Sequence, residues 1–242
     1  MHITVINPNT SAAMTSRIGA AARAAAGPGV EVAAVHPTMG PASIESHYEE
    51  ALAVPGVLEQ IALGDARGTD GYVLACFGDP GLDAAREFAS APVLGIAEAA
   101  MHAATMVGRS FSVVTTLTRT VGRAEDLVQR YGFERACRSI LASDIPVLDL
   151  EDDRVQEELT ALSRHAVHHD GADVIVLGCA GMASLQAAIA DAVGVPVVDG
   201  VVAAVGFVTA LARAGVTTSR RSEYARPPRK EMSGLLAGFA LA

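Results

Sequence analysis

The sequence contains one lysine, Lys230, and it stands in a polar stretch near the C-terminus. Pyridoxal phosphate enzymes hold their cofactor as a Schiff base on a lysine, so that chemistry is not expected here. Cysteine is also scarce. Cys76, Cys137 and Cys179 are an odd number and do not make a disulfide framework. A reducing, cytoplasmic setting is the simplest expectation. Positive charge is in deficit: the 242 residues carry a formal net charge of -9. A nucleic-acid surface needs a basic face, so no nucleic-acid partner is expected. The one basic cluster, "SRRSEYARPPRK", reads as a solvated terminal segment. No apolar stretch reads as a membrane span. The run from Val195 to Ala212 opens as a proline-containing strand and carries Asp199 and Gly200. "MHITVIN" is too short, and lacks the basic leader, for a secretion signal. No Pro/Gly/Ser-rich linker divides the chain.

Present instead is a regular alternation. Short β-branched runs alternate with alanine-rich helical stretches, and half of the residues are hydrophobic. A core can form without disulfides or metals. Strands are expected at Ile3–Ile6, Val30–Val35, Tyr72–Cys76, Pro92–Ile96, Ser110–Thr115, Ile145–Leu150, Asp173–Gly178 and Val195–Val198. Several are continuous apolar runs, as in parallel strands covered on both faces. The class is α/β with parallel sheet and right-handed crossovers.

The strands fall into two sets of four, and the sets match in sequence. "GYVLACFGDPGLDAAREFASAPVLGIAEAAMHAA" resembles "ADVIVLGCAGMASLQAAIADAVGVPVVDGVVAAV". The openings "ITVINPNTS" and "FSVVTTLTR" also correspond. Two matched blocks in the same order imply two copies of one unit related by a pseudo-twofold axis. Residues 1–97 with 203–242 are expected to form one half and 98–202 the other, each with a roughly four-stranded parallel sheet.

In open parallel sheets, ligands bind beyond the carboxyl ends of the strands. Cys76 and Cys179 stand there, as do Asn7 and Thr115. Each cysteine precedes a helix. Asp79 is a candidate N-cap with Pro80 at the first helical position, and Gly181 and Ser184 are placed to open the later helix. A helix N-terminus draws a thiol pKa down from about 8.5 toward neutrality. A single strand-end cysteine is ordinary core material. A matched pair facing one cleft suits proton transfer by two bases. One thiolate removes a proton from one face of a carbon while the other thiol delivers one to the opposite face.

The blocks "INPNTS" (Ile6 to Ser11), "ACFGDPGL" (Ala75 to Leu82), "SVVTT" (Ser112 to Thr116) and "LGCAGM" (Leu177 to Met182) resemble the aspartate/glutamate/hydantoin racemase superfamily. Within it they are most similar to the hydantoin and allantoin racemase branch. The resemblance covers nearly the whole chain. It implies two flavodoxin-like halves, a site in the cleft between them, Cys76 and Cys179 as the catalytic pair, and no cofactor. Glutamate racemases carry Asn-Thr after the first cysteine, Thr-His after the second, and an acidic residue after the first strand. Here those places hold Phe77-Gly78, Ala180-Gly181 and Asn7-Pro8-Asn9. A site without that acid and histidine suits a more acidic carbon, such as C5 of a 5-substituted hydantoin, allantoin included. The alternatives are another enzyme of the superfamily (an amino-acid racemase, a maleate-type cis-trans isomerase or a decarboxylase) and a two-lobed ligand-binding protein.

Backbone N–H groups of Phe77, Gly78, Ala180 and Gly181 are candidates to hold the enolate oxygen and ring carbonyls. Phe77 is either an apolar wall beside the ring or a core contact. Thr115 and Thr116 either hydrogen-bond the ring or cap the next helix. Asn7 and Asn9 either touch substrate or shape their turn, with one of them expected on the ligand. "GPASIES" is expected to form a loop over the site with Ser43 and Ile44 near the substituent. Asp79 is expected to cap rather than to act as an acid. His165, His168 and His169 share helical spacing but read as a partly exposed face, so no metal is expected. Cys137 lies in a helical-looking stretch and reads as structural. The expected partners are a small-molecule substrate and further copies of the chain, as a homo-oligomer.

Overall fold

The computed structural model describes residues 1–150 and 153–241. Four central strands set the frame: β1 (His2–Ile6), β3 (Gly71–Leu74), β5 (Phe111–Thr115) and β7 (Val174–Leu177). Apart from His2 every residue in them is buried. Strands enclosed on both faces need helices on both sides. The other strands are β2 (Glu31–Val35), β4 (Val93–Gly95), β6 (Cys137–Ala142) and β8 (Val197–Asp199). One sheet runs β2-β1-β3-β4 and the other β6-β5-β7-β8. Every pairing is parallel. The repeat seen in the sequence is thus a repeat of topology: two four-stranded α/β halves, as expected.

Helices fill three layers around the two sheets. On the outer face of the first sheet, α2 (His47–Ala66) and α3 (Leu82–Phe88) place Val57, Ile61 and Leu82 against Ile6, Tyr72 and Leu74. On the outer face of the second lie α6 (Asp153–His168) and α7 (Gln186–Val193). Between the sheets lie α1 (Ala12–Ala25), α4 (Ile96–Val107), α5 (Val121–Arg130) and α8 (Gly200–Arg213), sharing one core with both sheets. Ile3, Ile18, Met101, Phe111 and Val205 are fully buried in it. Each such side chain contributes about 1.5–3 kcal/mol, so the inner layer binds the halves firmly to each other. Alanines 97, 100 and 104 on α4 and Ala204 on α8 keep these helices slim where they pack together. A Cβ on Gly200 would lie 2.6 Å from the Ile96 carbonyl oxygen, so glycine is required where the two helices begin. Equivalent helices of the two halves meet at that point.

One expected strand is misplaced. Ile145–Leu150 is not a strand: it is a loop with a short 3-10 turn over Val147–Asp149. The sixth strand is Cys137–Ala142, paired with β5 through Val113–Ile140 and Val114–Leu141. Pro146 interrupts the expected run and has no N–H to give a ladder. The true strand lies at a sheet edge, half-exposed, so its apolar signal is weak. Cys137 accordingly opens a strand rather than sitting in a helix. Among the described residues no helix is long and apolar enough to cross a membrane. After α8 the chain runs back over the first half, where Arg220 donates to the Arg86, Glu87 and Ala89 carbonyls and Tyr224 donates to Asp83.

Candidate active site

Each cysteine follows a central strand whose neighbour begins its half. Ala75 N–H bonds the Ile6 carbonyl and Gly178 N–H bonds the Val114 carbonyl, both at 2.8 Å. The chain then turns sharply. Asp79 N–H returns to the Cys76 carbonyl at 3.0 Å, and Met182 N–H returns to the Cys179 carbonyl at 3.1 Å. The two turns are therefore equivalent, one per half. Both cysteines line a single cavity of about 80 Å³ between the halves.

The thiols are partly exposed on the cavity side and otherwise enclosed by protein. Burial pushes Cys76 up to about 12, against a hydrogen bond from the Gly78 N–H; the charges of Cys179 and Asp79 push the same way as burial. Burial likewise pushes Cys179 up to about 11, opposed by the Gly181 N–H and reinforced by Asp199 and Glu45. The expected fall toward neutrality is thus corrected. The backbone N–H groups do favour the thiolate, but desolvation outweighs them. Burial also strengthens whichever thiolate does form as a base.

The helices behind the thiols also differ from expectation. Asp79 does not cap the helix that follows it: its φ is 46° and α3 starts later, after Gly81. Its buried carboxylate instead accepts from the Ala97 and Glu98 N–H groups at the start of α4 and from the Tyr131 hydroxyl. In the second half a 3-10 turn over Ala180–Leu185 precedes α7, so Gly181 and Ser184 lie within that turn and do not open an α-helix. There Asp199 caps α8, its Oδ1 accepting from Val202 N–H at 2.9 Å. Its buried Oδ2 has no partner among the described residues. Gly95 is the counterpart of Asp199, and a Cβ on it would fall 2.2 Å from the Asp79 carboxylate carbon. One carboxylate thus stands behind each cysteine, supplied from different points in the chain. Burial pushes both up to about 6.

Of the other residues expected at the site, Asn9, Ile44, Phe77, Gly78, Thr115, Thr116 and Ala180 line the cavity. Asn7, Ser43 and Gly181 are not in its wall. Asn7 is turned into its own loop, donating to Asn9 Oδ1 at 2.7 Å and Thr15 Oγ1 at 3.0 Å. Thr115 donates to the Gly178 carbonyl and so braces the Cys179 strand. Phe77 both lines the cavity and belongs to the shared core.

Sequence reasoning missed a set of ionisable residues. Glu45, His47, Glu50, Arg119 and Arg123 line the cavity, with Val147 from the misread loop. Three contacts here cross the cleft. Glu45 Oε1 accepts from Val147 N–H at 2.8 Å. Arg123 pairs with Glu50 and donates to the Gly78 carbonyl. A signal was available in "IESHYEE". Ser46 accepts from Glu49 N–H as the N-cap of α2, and Glu49 reaches back to Glu45 N–H at 2.7 Å. That Ser-x-x-Glu pattern fixes where the loop ends and the helix begins.

Two like α/β halves with a thiol from each in one cleft define a two-lobed, two-thiol class of protein. The chain belongs to the Asp/Glu/Hydantoin racemase family, which it matches over residues 3–208. It is 49% identical over 236 residues to a hydantoin racemase of Rhizobium meliloti, covering 97% of this chain and 98% of that one. It is 46% identical over 241 residues to a hydantoin racemase of Pseudomonas sp. (strain NS671), covering 99% and 97%. Its fold superposes on an allantoin racemase from Klebsiella pneumoniae with a TM-score of 0.97 at 52% identity, covering 99% of each chain.

Proposed function

We propose that the protein racemises 5-substituted hydantoins, allantoin included, by moving a proton between Cys76 and Cys179. The observation that carries this reading is that one cavity is lined by a cysteine from each half, each on an equivalent turn at the end of a central strand. One cysteine enters the cycle as thiolate and the other as thiol. The thiolate takes the C5 proton, and the electron pair moves onto the adjacent carbonyl oxygen as an enolate. Backbone N–H groups of the two turns stabilise that oxygen. The second thiol returns a proton to the opposite face of C5, leaving the inverted product with thiolate and thiol exchanged.

A mostly apolar wall with Phe77 in it favours an uncharged ring over a dicarboxylate. Arg123 in the same wall is already paired with Glu50. On this reading the protein acts in the cytoplasm as a homo-oligomer, with a small molecule as its substrate.

Polarimetry and solvent-deuterium incorporation at C5 of a single-enantiomer hydantoin test the proposal. Wild-type enzyme is expected to racemise with exchange. Cys76→Ala and Cys179→Ala are each expected to lose racemisation. Full racemisation by either variant would sink the two-thiol scheme.

A further inference from the structure

The two cysteine turns are equivalent in backbone but are not held in the same way. Behind the Cys179 turn, the atom nearest the place of a Gly181 Cβ is Leu150 Cδ1, at 2.9 Å, from the same half. Beside the Cys76 turn, the place of a Gly78 Cβ is faced by the Arg123 guanidinium at 3.7–3.8 Å, from the other half. Arg123 also donates to the Gly78 carbonyl, and the N–H of Gly78 is the one that favours the Cys76 thiolate. One residue further on, Asp79 is held by the hydroxyl of Tyr131 at 2.7 Å. Arg123 lies near the start of α5 and Tyr131 just past its end. The helix therefore grips the Cys76 turn at two points from across the cleft.

We propose that Arg123 is a positioning residue, which holds Gly78 from across the cleft and so keeps the turn in the conformation that makes the Cys76 thiol competent. This rests on the reading of Cys76 as one of two proton-transfer groups. Glycine at 78 leaves the turn free to flex, so an external hold is needed to keep its N–H on the sulfur. The guanidinium suits this work because its planar fork serves two acceptors at once. Its second acceptor is Glu50, on α2 of the first half. The side chains of Arg123 and Glu50 are only 25% and 14% exposed, so the pair is shielded from solvent and its charge is balanced. With both ends engaged, Arg123 orients the turn rather than binding an anionic substrate.

The test exploits the asymmetry. With Cys76 misplaced, the enantiomer deprotonated by Cys179 forms its enolate normally but is reprotonated mostly by Cys179 itself. It then gains solvent deuterium faster than it inverts. The opposite enantiomer, which needs Cys76 for the first step, shows exchange and inversion in step. Arg123→Met is expected to lower kcat roughly tenfold, the effect of losing about 1.4 kcal/mol of transition-state stabilisation. KM should change less, the exchange-to-inversion ratio should rise for one enantiomer only, and Arg123→Lys should recover part of kcat.

Where Arg123→Met does not fold, Tyr131→Phe removes the other grip with a single atom and should show the same one-sided ratio. A ratio unchanged for both enantiomers, or equal effects of Met and Lys, overturns the proposal. Failure of the underlying racemase reading would look different, since wild-type enzyme would then show neither exchange nor inversion.

Discussion

Replacing Asp199 by Asn removes a buried charge while leaving the cap of α8 in place. Asn is as good an N-cap as Asp, and its Oδ1 can still accept from Val202 N–H. In the native protein the Asp199 carboxyl is pushed from 3.8 to about 6, chiefly by burial and against the α8 N–H groups. The folded state therefore binds this proton more tightly than the unfolded chain. The stability it contributes is complete below about pH 3.8 and is lost as pH rises through about 6. A difference of about two pKa units corresponds to about 3 kcal/mol. Asp199→Asn has no such titration. Part of the wild-type contribution is already lost at pH 4, so the variant's stability relative to wild type should climb by about 2 kcal/mol between pH 4 and pH 7. Asp79 titrates in the same range but is present in both proteins, so it cancels in the difference. Urea unfolding followed by far-UV circular dichroism at pH 4, 5, 6 and 7, with the cysteines kept reduced, reads the effect directly. A difference that stays constant across that range would refute the reasoning. The change also reaches the site: the Asp199 charge is one of those that raise Cys179, so its removal should make that thiol more acidic.

Because burial holds Cys76 near 12 and Cys179 near 11, kcat/KM should rise close to tenfold per pH unit from pH 7 to about 8.5, below the range in which the hydantoin N–H itself ionises. A profile already flat above pH 8 would show that a thiol ionises near neutrality in the working enzyme. Gly95→Ala puts a methyl 2.2 Å from the Asp79 carboxylate carbon. It should cost about 2–4 kcal/mol through overpacking and a disturbed cap on α4. Thermal unfolding and activity should fall together, and an unchanged melting temperature would contradict the close contact.

Much of the site was legible because its signals are local. Strand-end cysteines, each followed by a turn, announce themselves within ten residues. The matched spacing of "VLACFGDPGL" and "VLGCAGMASL" pairs them without any coordinates. The five other β-rich runs that became strands were readable for the same reason, since period and β-branching are properties of short segments. The sixth strand failed because an edge strand is only half-apolar, while the loop after it happened to be rich in apolar residues. The role of Asp79 failed for a different reason. An aspartate before a proline looks like the cap of the next helix, yet its positive φ turns the carboxylate toward a helix 17 residues further along.

By itself, then, the sequence determined the α/β class, the duplication, the two cysteines and the family, because each is carried by short-range pattern or by the identity of matched blocks. Only the tertiary structure decided the electrostatics and the grip. Whether a thiol beside a helix-like turn is made acidic or basic depends on how much water remains around it, and that is a sum over both halves. Arg123 and Glu50 lie far apart in the chain, and nothing local marks them as partners. They meet across the cleft only because the shared inner layer of helices fixes one half against the other.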